Sequence, residues 1–430
     1  MKKKLLWICF ILAGICSATA QTTTTSFNVN GIKVIFKPTQ KKVINIRIFF
    51  RGGVTNYKPE QAGIENLALE AAMSCGTKKY TGVALRDTAE QYGVQLSGES
   101  AYDYGYIQLN CVSMYFNQGW DLFSEAVNNP VFDDAEVNLL KTRAITGSQR
   151  RGSDPDAQLF ALQMKAAFEN TPYAIDPLGT EQTLAGLSAA DLKNYYKTLL
   201  NKNKLFIVAV GNLDKQDLYQ KILYAFDNLS SSPSTPDNLK APAWTDNKLV
   251  TQQKDLKINY VGAVMPAPEF TSADCVPFRL AFAGLGGNLY RTLRTQYHLS
   301  YDPWHNVLDY KMPVAMLGAS SSNPKQVILA MMRELKYVQN NGYSEEWLQH
   351  LKNIYIASSY FDEQSSAAVT QSLGRAEILG NWQYADDLPQ LVNMVTVGEM
   401  NRAINFYITG VRWAYLGNLD AIEGFRPPAY

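Results

Sequence analysis

The sequence predicts an α+β fold made of two similar domains, each an antiparallel-rich sheet with helices packed on one side. In each half of the chain, strand patterns come first and helical patterns follow. A stretch rich in serine and proline, residues 230–246, divides the chain into nearly equal parts. Both parts close with a helical pattern, an apolar strand and the tetrapeptide Gly-Asn-Leu-Asp, at 211–214 and 417–420. This recurrence indicates a duplication.

Residues 1–20 have the pattern of a signal peptide. Three lysines at 2–4 precede an apolar stretch, and Ala-Thr-Ala ends at residue 20. We therefore expect an exported protein, located in a bacterial periplasm, whose mature N-terminus is Gln21. Lipidation at Cys16 is the alternative. No other segment is apolar over enough residues to predict a membrane span.

The mature chain is close to neutral. Loss of the signal peptide removes three lysines and no acids, so the formal charge of +1 becomes −2. This charge gives no electrostatic basis for binding nucleic acid. Cys75, Cys111 and Cys275 remain, and their wide spacing predicts neither a disulfide framework nor a zinc cluster. We expect buried free thiols, with a Cys75–Cys111 pair as the alternative.

The first domain is predicted to span residues 21–229. Strand patterns occur at residues 27–29, 33–37, 43–50, 102–111 and 205–210. Helical patterns occur at residues 63–80, 81–92, 116–127, 134–149, 155–168 and 188–200. In the third strand Ile44, Ile46 and Ile48 form an apolar face. Asn45 and Arg47 point the other way, to a face that is only partly polar.

The second domain is predicted to span residues 247–430. Strand patterns occur at residues 258–265, 304–308, 314–320 and 413–416. Helical patterns occur at residues 273–282, 288–297, 324–340, 344–361 and 396–407. The Gly-rich run at 283–288 lacks the Lys-Ser/Thr of a phosphate-binding loop. We interpret it as a tight entry to the helix that follows.

Residues 63–80, GIENLALEAAMSCGTKKY, carry the pattern around which the first domain is organised. Asn66 and Glu70 lie four residues apart and share a helix face, and Leu69 precedes the second. The frame resembles the pitrilysin/insulinase peptidases, or inverzincins, whose helix carries His-x-x-Glu-His before Gly-Thr. The three motif places read Asn66, Leu69 and Glu70 in this chain.

These replacements predict that the chain holds no catalytic zinc. Such a site needs three protein ligands and an open position for water. Asn66 offers only a neutral amide, and Leu69 is unable to take a proton from water. The third family ligand falls near Thr146, where no carboxylate is present. A frame shifted by one residue places Leu67, Glu70 and Ala71 at the motif, which restores the glutamate but neither histidine.

A second stretch, at residues 284–301, adds to the resemblance. Leu293-Arg294 precedes Leu299-Ser300-Tyr301, so Arg294 and Tyr301 are seven residues apart. In the peptidase family, an arginine and a tyrosine at this spacing reach the zinc site of the facing domain and hold the carbonyl of the scissile bond. A guanidinium and a phenol are suitable donors for that role. The alternative is a surface arginine on a helix and a tyrosine that opens a strand.

The resemblance, which also includes the Pro-Leu-Gly-Thr turn at 177–180, implies two domains that form half of a clamshell. Some family members work as unlike pairs, in which one chain holds zinc and the other supplies arginine and tyrosine. Our leading hypothesis is a non-catalytic, substrate-binding subunit of a heterodimeric exported zinc peptidase. It would bind no metal itself, pair with a zinc-bearing homologous subunit and take unfolded peptides. Self-association is left open, although a symmetric dimer would contain no zinc.

Two other hypotheses follow from the same residues. The chain could be a peptide-binding or scaffold protein with no role in hydrolysis, capturing an extended peptide by strand addition. Residues 102–111 are the candidate edge strand for this role. A weaker hypothesis is an active metallopeptidase with unrecognised ligands, which the absence of any histidine before His298 argues against.

Overall fold

The computed structural model describes residues 23–233 and 239–428. The predicted signal peptide lies outside the described residues, as do residues 234–238 of the predicted linker and the last two residues of the chain. No helix in the described part is both long enough and apolar enough to cross a membrane.

The first half of the chain builds a sheet of six strands within the described residues. These strands are β1 (Thr25–Val29), β2 (Ile32–Pro38), β3 (Val43–Arg51), β4 (Gln95–Ser100), β5 (Tyr104–Val112) and β6 (Leu205–Gly211). The helices are α1 (Ile64–Ser74), α2 (Gly82–Gln91), α3 (Phe116–Asn128), α4 (Asp134–Ser153), α5 (Pro155–Phe168), α6 (Glu181–Gly186), α7 (Ala189–Leu199) and α8 (Lys215–Phe226). Side-chain caps fix several helix starts, because Asp133, Asp154 and Ser188 accept hydrogen bonds from backbone N–H groups of the first turn.

The second half builds a sheet of five strands within the described residues. These strands are β7 (Lys248–Gln253), β8 (Asn259–Pro266), β9 (Trp304–Leu308), β10 (Val314–Ser321) and β11 (Arg412–Gly417). The helices are α9 (Cys275–Tyr290), α10 (Pro324–Asn341), α11 (Glu345–Asp362), α12 (Ser366–Ile378), α13 (Gln383–Met394) and α14 (Val397–Tyr407). A π-helical segment, Arg291–Gln296, continues α9.

Apart from β1, which has no counterpart in the second sheet, the two sheets have the same topology. Their strand orders are β1-β2-β6-β3-β5-β4 and β7-β11-β8-β10-β9. Each contains one parallel pair, β2 with β6 or β7 with β11, and its other neighbours run antiparallel. Strand for strand, β7 takes the place of β2, β11 of β6, β8 of β3, β10 of β5 and β9 of β4. The prediction of two similar α+β domains with antiparallel-rich sheets is therefore confirmed.

Each sheet packs its own helices on one face and a helix of the other half on the opposite face. The Ile44, Ile46 and Ile48 face of β3 lies in one core with α1 of the same half. The opposite face packs against α12, through Val369 and Leu373. In the reverse direction, α5 of the first half packs on β8 and β11. The halves therefore exchange helices across the joint between them.

This exchange explains the partly polar face predicted for β3. Asn45 and Arg47 are only 0% and 7% exposed, because α12 covers them. The Nε of Arg47 donates a hydrogen bond to Gln108 at 3.0 Å, and its Nη1 donates to Gln371 of α12. Burial lowers the pKa of Arg47, and its guanidinium lies 4.3 Å from the centre of the Tyr106 ring. Arg47 thus finds a partner across the joint, in Gln371 of α12, whereas the amide of Asn45 donates within its own sheet to Gln108 at 3.4 Å.

One glycine marks the closest approach at this joint. Gly374 of α12 lies directly over the ring of Phe49, and a Cβ at this position would overlap the ring. Phe49 is fully buried and stacks on Phe206, with the ring centres 5.2 Å apart. The absence of a side chain at residue 374 therefore lets α12 sit tightly on the first sheet.

The structure corrects the predicted edge strand. The segment predicted at 102–111 is β5, which lies between β3 and β4 and is therefore internal. The edge on this side of the sheet is β4, which the sequence analysis missed, and β1 forms the opposite edge. Its residues QLSGES include only one large apolar side chain, Leu96, so the alternation that identifies a strand is absent.

The Gly-rich run is also corrected. Residues 283–288 lie inside α9, which is one continuous helix and not two helices joined by a turn. Gly284 lies against Tyr343, and Gly286 lies against His305, so close that a Cβ would overlap either ring. The glycines therefore serve packing of α9 against its neighbours.

Within the described residues, Cys75, Cys111 and Cys275 are buried and free, as expected. Burial raises the pKa of the Cys75 thiol and of the Cys111 thiol to about 11. These thiols are therefore protonated at neutral pH.

Candidate functional site

The degenerate metal motif lies on α1, which begins after Gly63. Gly63 has a φ of +90°, a conformation that suits glycine. Asn66, at the first motif place, is half-buried, and its Oδ1 accepts a hydrogen bond from the backbone N–H of Ser100 at 3.1 Å. The amide therefore ties α1 to the end of β4.

Leu69, at the second motif place, is fully buried. Gly98 of β4 and Gly105 of β5 lie so close to it that a Cβ on either would overlap residue 69. Leu67 and Ala71, which occupy the motif in the shifted frame, are fully buried in the same core or nearly so. In either frame, apolar side chains at these places fill the space between α1 and the sheet.

The remaining two places also carry no zinc chemistry. Glu70 is half-buried, and burial raises the pKa of its carboxyl group while the charge of Arg143 lowers it. Thr146 is exposed on α4, where its Oγ1 donates to the carbonyl of Thr142 at 3.0 Å. Among the described residues, no group of three or more His, Cys, Asp or Glu side chains is placed to hold a metal ion. The residues present do not fit a catalytic zinc.

A buried carboxyl group on the same helix was missed by sequence analysis. Glu65 is completely buried, and its carboxyl accepts hydrogen bonds from Tyr195, from Asn56 at 3.1 Å and from Ser100 Oγ at 3.1 Å. Burial raises its pKa to about 7, and these hydrogen bonds oppose the rise. The sequence did indicate that Glu65 is buried, because it lies on the same helix face as the apolar residues Ala68, Leu69 and Ala72.

Arg294 and Tyr301 lie side by side in the second half. The guanidinium carbon of Arg294 is 4.3 Å from the centre of the Tyr301 ring and 5.1 Å from that of Tyr290. Its Nη1 donates a hydrogen bond to the hydroxyl of Tyr290. Tyr301 is 78% exposed and Arg294 is half-buried. The cation–π contacts hold the guanidinium between two rings and leave other N–H groups available.

The π-helical segment makes this contact possible. Two residues seven positions apart on a regular α-helix are separated by two turns, about 10 Å along the axis. Here the N–H of Tyr297 bonds to the carbonyl of Thr292 at 3.0 Å, and the N–H of Leu299 bonds to that of Leu293 at 2.7 Å. His298 turns the chain with a φ of +51°. Residue 301 is thereby folded back onto residue 294. Segments of π-helix are often found at functional sites.

The fold and these two sites define a class: a two-domain, peptidase-like α+β chain that keeps the frame of a zinc-peptidase helix without its ligands. Comparison with known protein families identifies the family to which the chain belongs. The family model for insulinase, peptidase family M16, matches residues 33–181, and that for the peptidase M16 inactive domain matches residues 186–355. The chain belongs to peptidase family M16, which confirms the resemblance seen in the sequence.

Relatives within this family are distant in sequence. The non-peptidase homolog YmxG of Helicobacter pylori is 22% identical over 260 residues, which are 60% of this chain and 60% of that protein. The chain spans about half to three fifths of the length of several curated relatives that it matches.

Solved structures share the fold. A peptidase M16 inactive domain from Pseudomonas fluorescens superposes with a TM-score of 0.82 at 17% identity, covering 92% of this chain and 98% of that one. The periplasmic protease PqqL from Escherichia coli gives a TM-score of 0.77 at 16% identity, covering 97% of this chain and 49% of that one.

Proposed function

We propose that this chain is the non-catalytic, substrate-binding subunit of a heterodimeric, exported zinc peptidase that degrades or processes peptides. One observation carries the proposal. The motif places on α1 are filled by side chains with other roles, whereas Arg294 and Tyr301 remain paired at the surface. The match to an inactive M16 domain and the similarity to the Helicobacter non-peptidase homolog support a chain without hydrolytic activity of its own.

In this proposal the two side chains act on the peptide substrate. The guanidinium of Arg294 and the phenol of Tyr301 donate hydrogen bonds to the carbonyl oxygen of the bond that is cut, and they stabilise the negative charge that develops on it. The partner is a homologous subunit that binds the zinc, and this chain binds none. The substrate is an unfolded peptide.

The proposed compartment is the periplasm. The signal-peptide pattern at residues 1–20 supports export. The description of the structurally similar PqqL as a periplasmic protease supports the same compartment.

The test begins with co-purification of the tagged mature chain from its own bacterium, followed by assays for zinc and for cleavage of a quenched peptide. We expect chelator-sensitive cleavage in the captured complex. Arg294→Ala should lower kcat by about 10²-fold or more, and Tyr301→Phe should lower it in the same direction. Arg150→Ala and Tyr224→Phe, at exposed positions elsewhere, should leave the rate unchanged. Activity that is indifferent to Arg294→Ala and Tyr301→Phe would falsify the proposal.

A second candidate function, peptide binding without hydrolysis, is favoured by the edge of β4. The N–H of Ala101 donates to the carbonyl of Tyr104 at 2.7 Å, which makes Glu99, Ser97 and Gln95 the hydrogen-bonded residues of the ladder with β5. The N–H groups of the alternate residues Leu96, Gly98 and Ser100 therefore point away from β5. The N–H of Ser100 already donates a hydrogen bond to Oδ1 of Asn66. The N–H groups of Leu96 and Gly98 donate to no other group in the described part of the chain. They could pair with an added peptide strand.

A further inference from the structure

The Arg294–Tyr301 pair is part of a larger surface of tyrosines and arginines. We call it the tyrosine–arginine surface, and it consists of Tyr290, Arg291, Arg294, Tyr297, His298, Tyr301 and Arg333. It contains a second pair, since Nη1 of Arg333 on α10 donates to the hydroxyl of Tyr297 at 3.2 Å and its guanidinium carbon lies 5.9 Å from that ring. His298 follows Tyr297 in the sequence, and its Nδ1 lies 3.1 Å from the carbonyl oxygen of Arg294.

The three arginines of this surface have neutral partners. Arg294 donates to Tyr290 and Arg333 to Tyr297, and Nη2 of Arg291 lies 3.5 Å from Oδ1 of Asn288. Within residues 23–233 and 239–428, none of the three forms a salt bridge. Other arginines do so, as in the pairs Arg86–Glu136, Arg375–Asp309, Arg402–Asp274 and Arg412–Asp246. Uncompensated positive charge is therefore concentrated on this surface.

Two nearby carboxylates limit the extent of the positive surface. Glu334 accepts a hydrogen bond from Thr292 Oγ1 at 3.0 Å and acts electrostatically on the buried Tyr343, so it is turned toward the interior. Asp302 follows Tyr301, and in addition to burial its negative charge contributes to the raised pKa of Asp156 at the start of α5. Asp302 therefore lies near α5, and Glu334 is engaged by Thr292.

We propose that the tyrosine–arginine surface binds a peptide segment that carries carboxylate side chains, so that the substrates of this chain are acidic peptides. The inference rests on the proposed function of Arg294 and Tyr301 and names the class of peptide they receive. Guanidinium groups bind carboxylates through paired, charge-assisted hydrogen bonds. Exposed tyrosine rings add contact area at a small cost in side-chain entropy. Arg291 and Arg333 supply the charge, while Arg294 is left for the peptide carbonyl.

The test uses the full mature chain and three fluorescent peptides of equal length, in which the same positions carry Glu, Gln or Lys. Fluorescence anisotropy should show the tightest binding for the Glu peptide, and this preference should decrease as salt is added. Arg333→Ala should weaken binding of the Glu peptide by roughly three- to tenfold and change that of the Gln peptide by less than about twofold.

Two controls separate a local effect from net charge and from folding. Arg150→Ala removes an exposed arginine of α4 and should leave the affinity for the Glu peptide unchanged. Tyr297→Phe retains the ring and should retain most of the binding. Equal affinities for the Glu and Gln peptides, equal effects of Arg333→Ala and Arg150→Ala, or no binding of any peptide would each overturn the inference.

The outcome is separable from that of the proposed function. A captured complex whose cleavage depends on Arg294 but shows no preference for Glu peptides retains the proposed function and rejects this inference. A lone chain that binds Glu peptides through Arg333, with no cleaving partner, retains the acidic ligand class and rejects the role in hydrolysis.

Discussion

Glu65 is a carboxyl group completely removed from water, on the helix whose metal motif is replaced. Its pKa is raised to about 7, chiefly by burial, while the positive charge of Lys204 and the hydrogen bond from Tyr195 oppose the rise. An acid whose pKa is higher in the folded state than in the unfolded chain favours folding when protonated. Stability therefore falls as the pH rises from the unfolded value, near 4.5, through about 7.

Glu65→Gln should remove this pH dependence. The amide keeps an oxygen for Tyr195 and Asn56 and places its NH₂ group near Ser100. The native protein should lose about 3 kcal/mol of unfolding free energy between pH 4 and pH 8 as Glu65 ionises, and the variant should not. The variant should therefore gain about that amount in stability relative to the native protein over this pH range. Urea unfolding at both pH values measures the effect, with the exposed Glu60→Gln as control. If the free energy of unfolding changes equally with pH in the native protein and in the variant, the ionisation of Glu65 does not destabilise the fold.

At the residue scale, the sequence was informative where a spacing carries the chemistry. The seven-residue interval between Arg294 and Tyr301 identified two side chains that the structure places in contact. The motif places on α1 could be tested for ligand chemistry from residue types alone. Glu65 was missed because a single charged residue within a helix gives no indication of its partners. These lie on α7, in the segment before α1 and at the end of β4.

Among the elements, β4 is an edge strand of the first sheet, as β1 is at the other end. Its outward N–H groups at Leu96 and Gly98 are the basis of the peptide-binding alternative. An edge strand tolerates proline at positions whose N–H does not join the ladder. Residue 96 is such a position, so the backbone donor can be removed there without loss of a bond to β5.

Leu96→Pro therefore tests strand addition. If the lone chain binds peptides at β4, the variant should bind a neutral, apolar peptide roughly two- to tenfold more weakly than Leu96→Ala, because one hydrogen bond is lost. The alanine variant accounts for the missing side chain, and circular dichroism verifies folding of both. Equal affinities of the two variants would place peptide binding elsewhere than the edge of β4.

Sequence periodicity predicted the elements with strong apolar patterns, such as β3, β6 and α3. It missed β4, whose side chains are mostly small or polar, and it divided α9 at glycines that serve close packing. The turn that folds Tyr301 onto Arg294 was also not predictable. Its hydrogen bonds follow from a π-helical segment, and residue type does not distinguish such a segment from an α-helix.

At the scale of the whole molecule, the exchange of α5 and α12 joins the two halves. Sequence periodicity predicted α5 but not α12, and it does not show which sheet the apolar face of a helix will cover. The joint also contains ion pairs between the halves, since Glu377 of α12 bonds to Lys33 and to Arg51 of the first half, each at 2.8 Å. The arrangement therefore fixes the relative orientation of the halves through both apolar and charged contacts.

Gly374→Ala should weaken this joint. Alanine is favoured over glycine in a helix by roughly 1 kcal/mol, but the added methyl group would overlap Phe49, which is buried and stacked on Phe206. We expect a net loss of about 1–3 kcal/mol in the free energy of unfolding, measured by urea denaturation. Gly152→Ala is the matched control, because nothing lies within 4 Å of a Cβ there, and it should be neutral or stabilising. A stabilising effect at both positions would show that the joint is loose at Gly374.

The exchange of helices also has a consequence for biosynthesis. The last strand of the first sheet ends at residue 211, and the helix that covers the sheet's second face begins at residue 366. If the chain is exported as proposed, its N-terminal half reaches the periplasm first and can fold before α12 arrives. Until then Phe49, Phe206 and Val208 have no covering helix. The first half therefore presents an apolar surface to chaperones until the second half has followed.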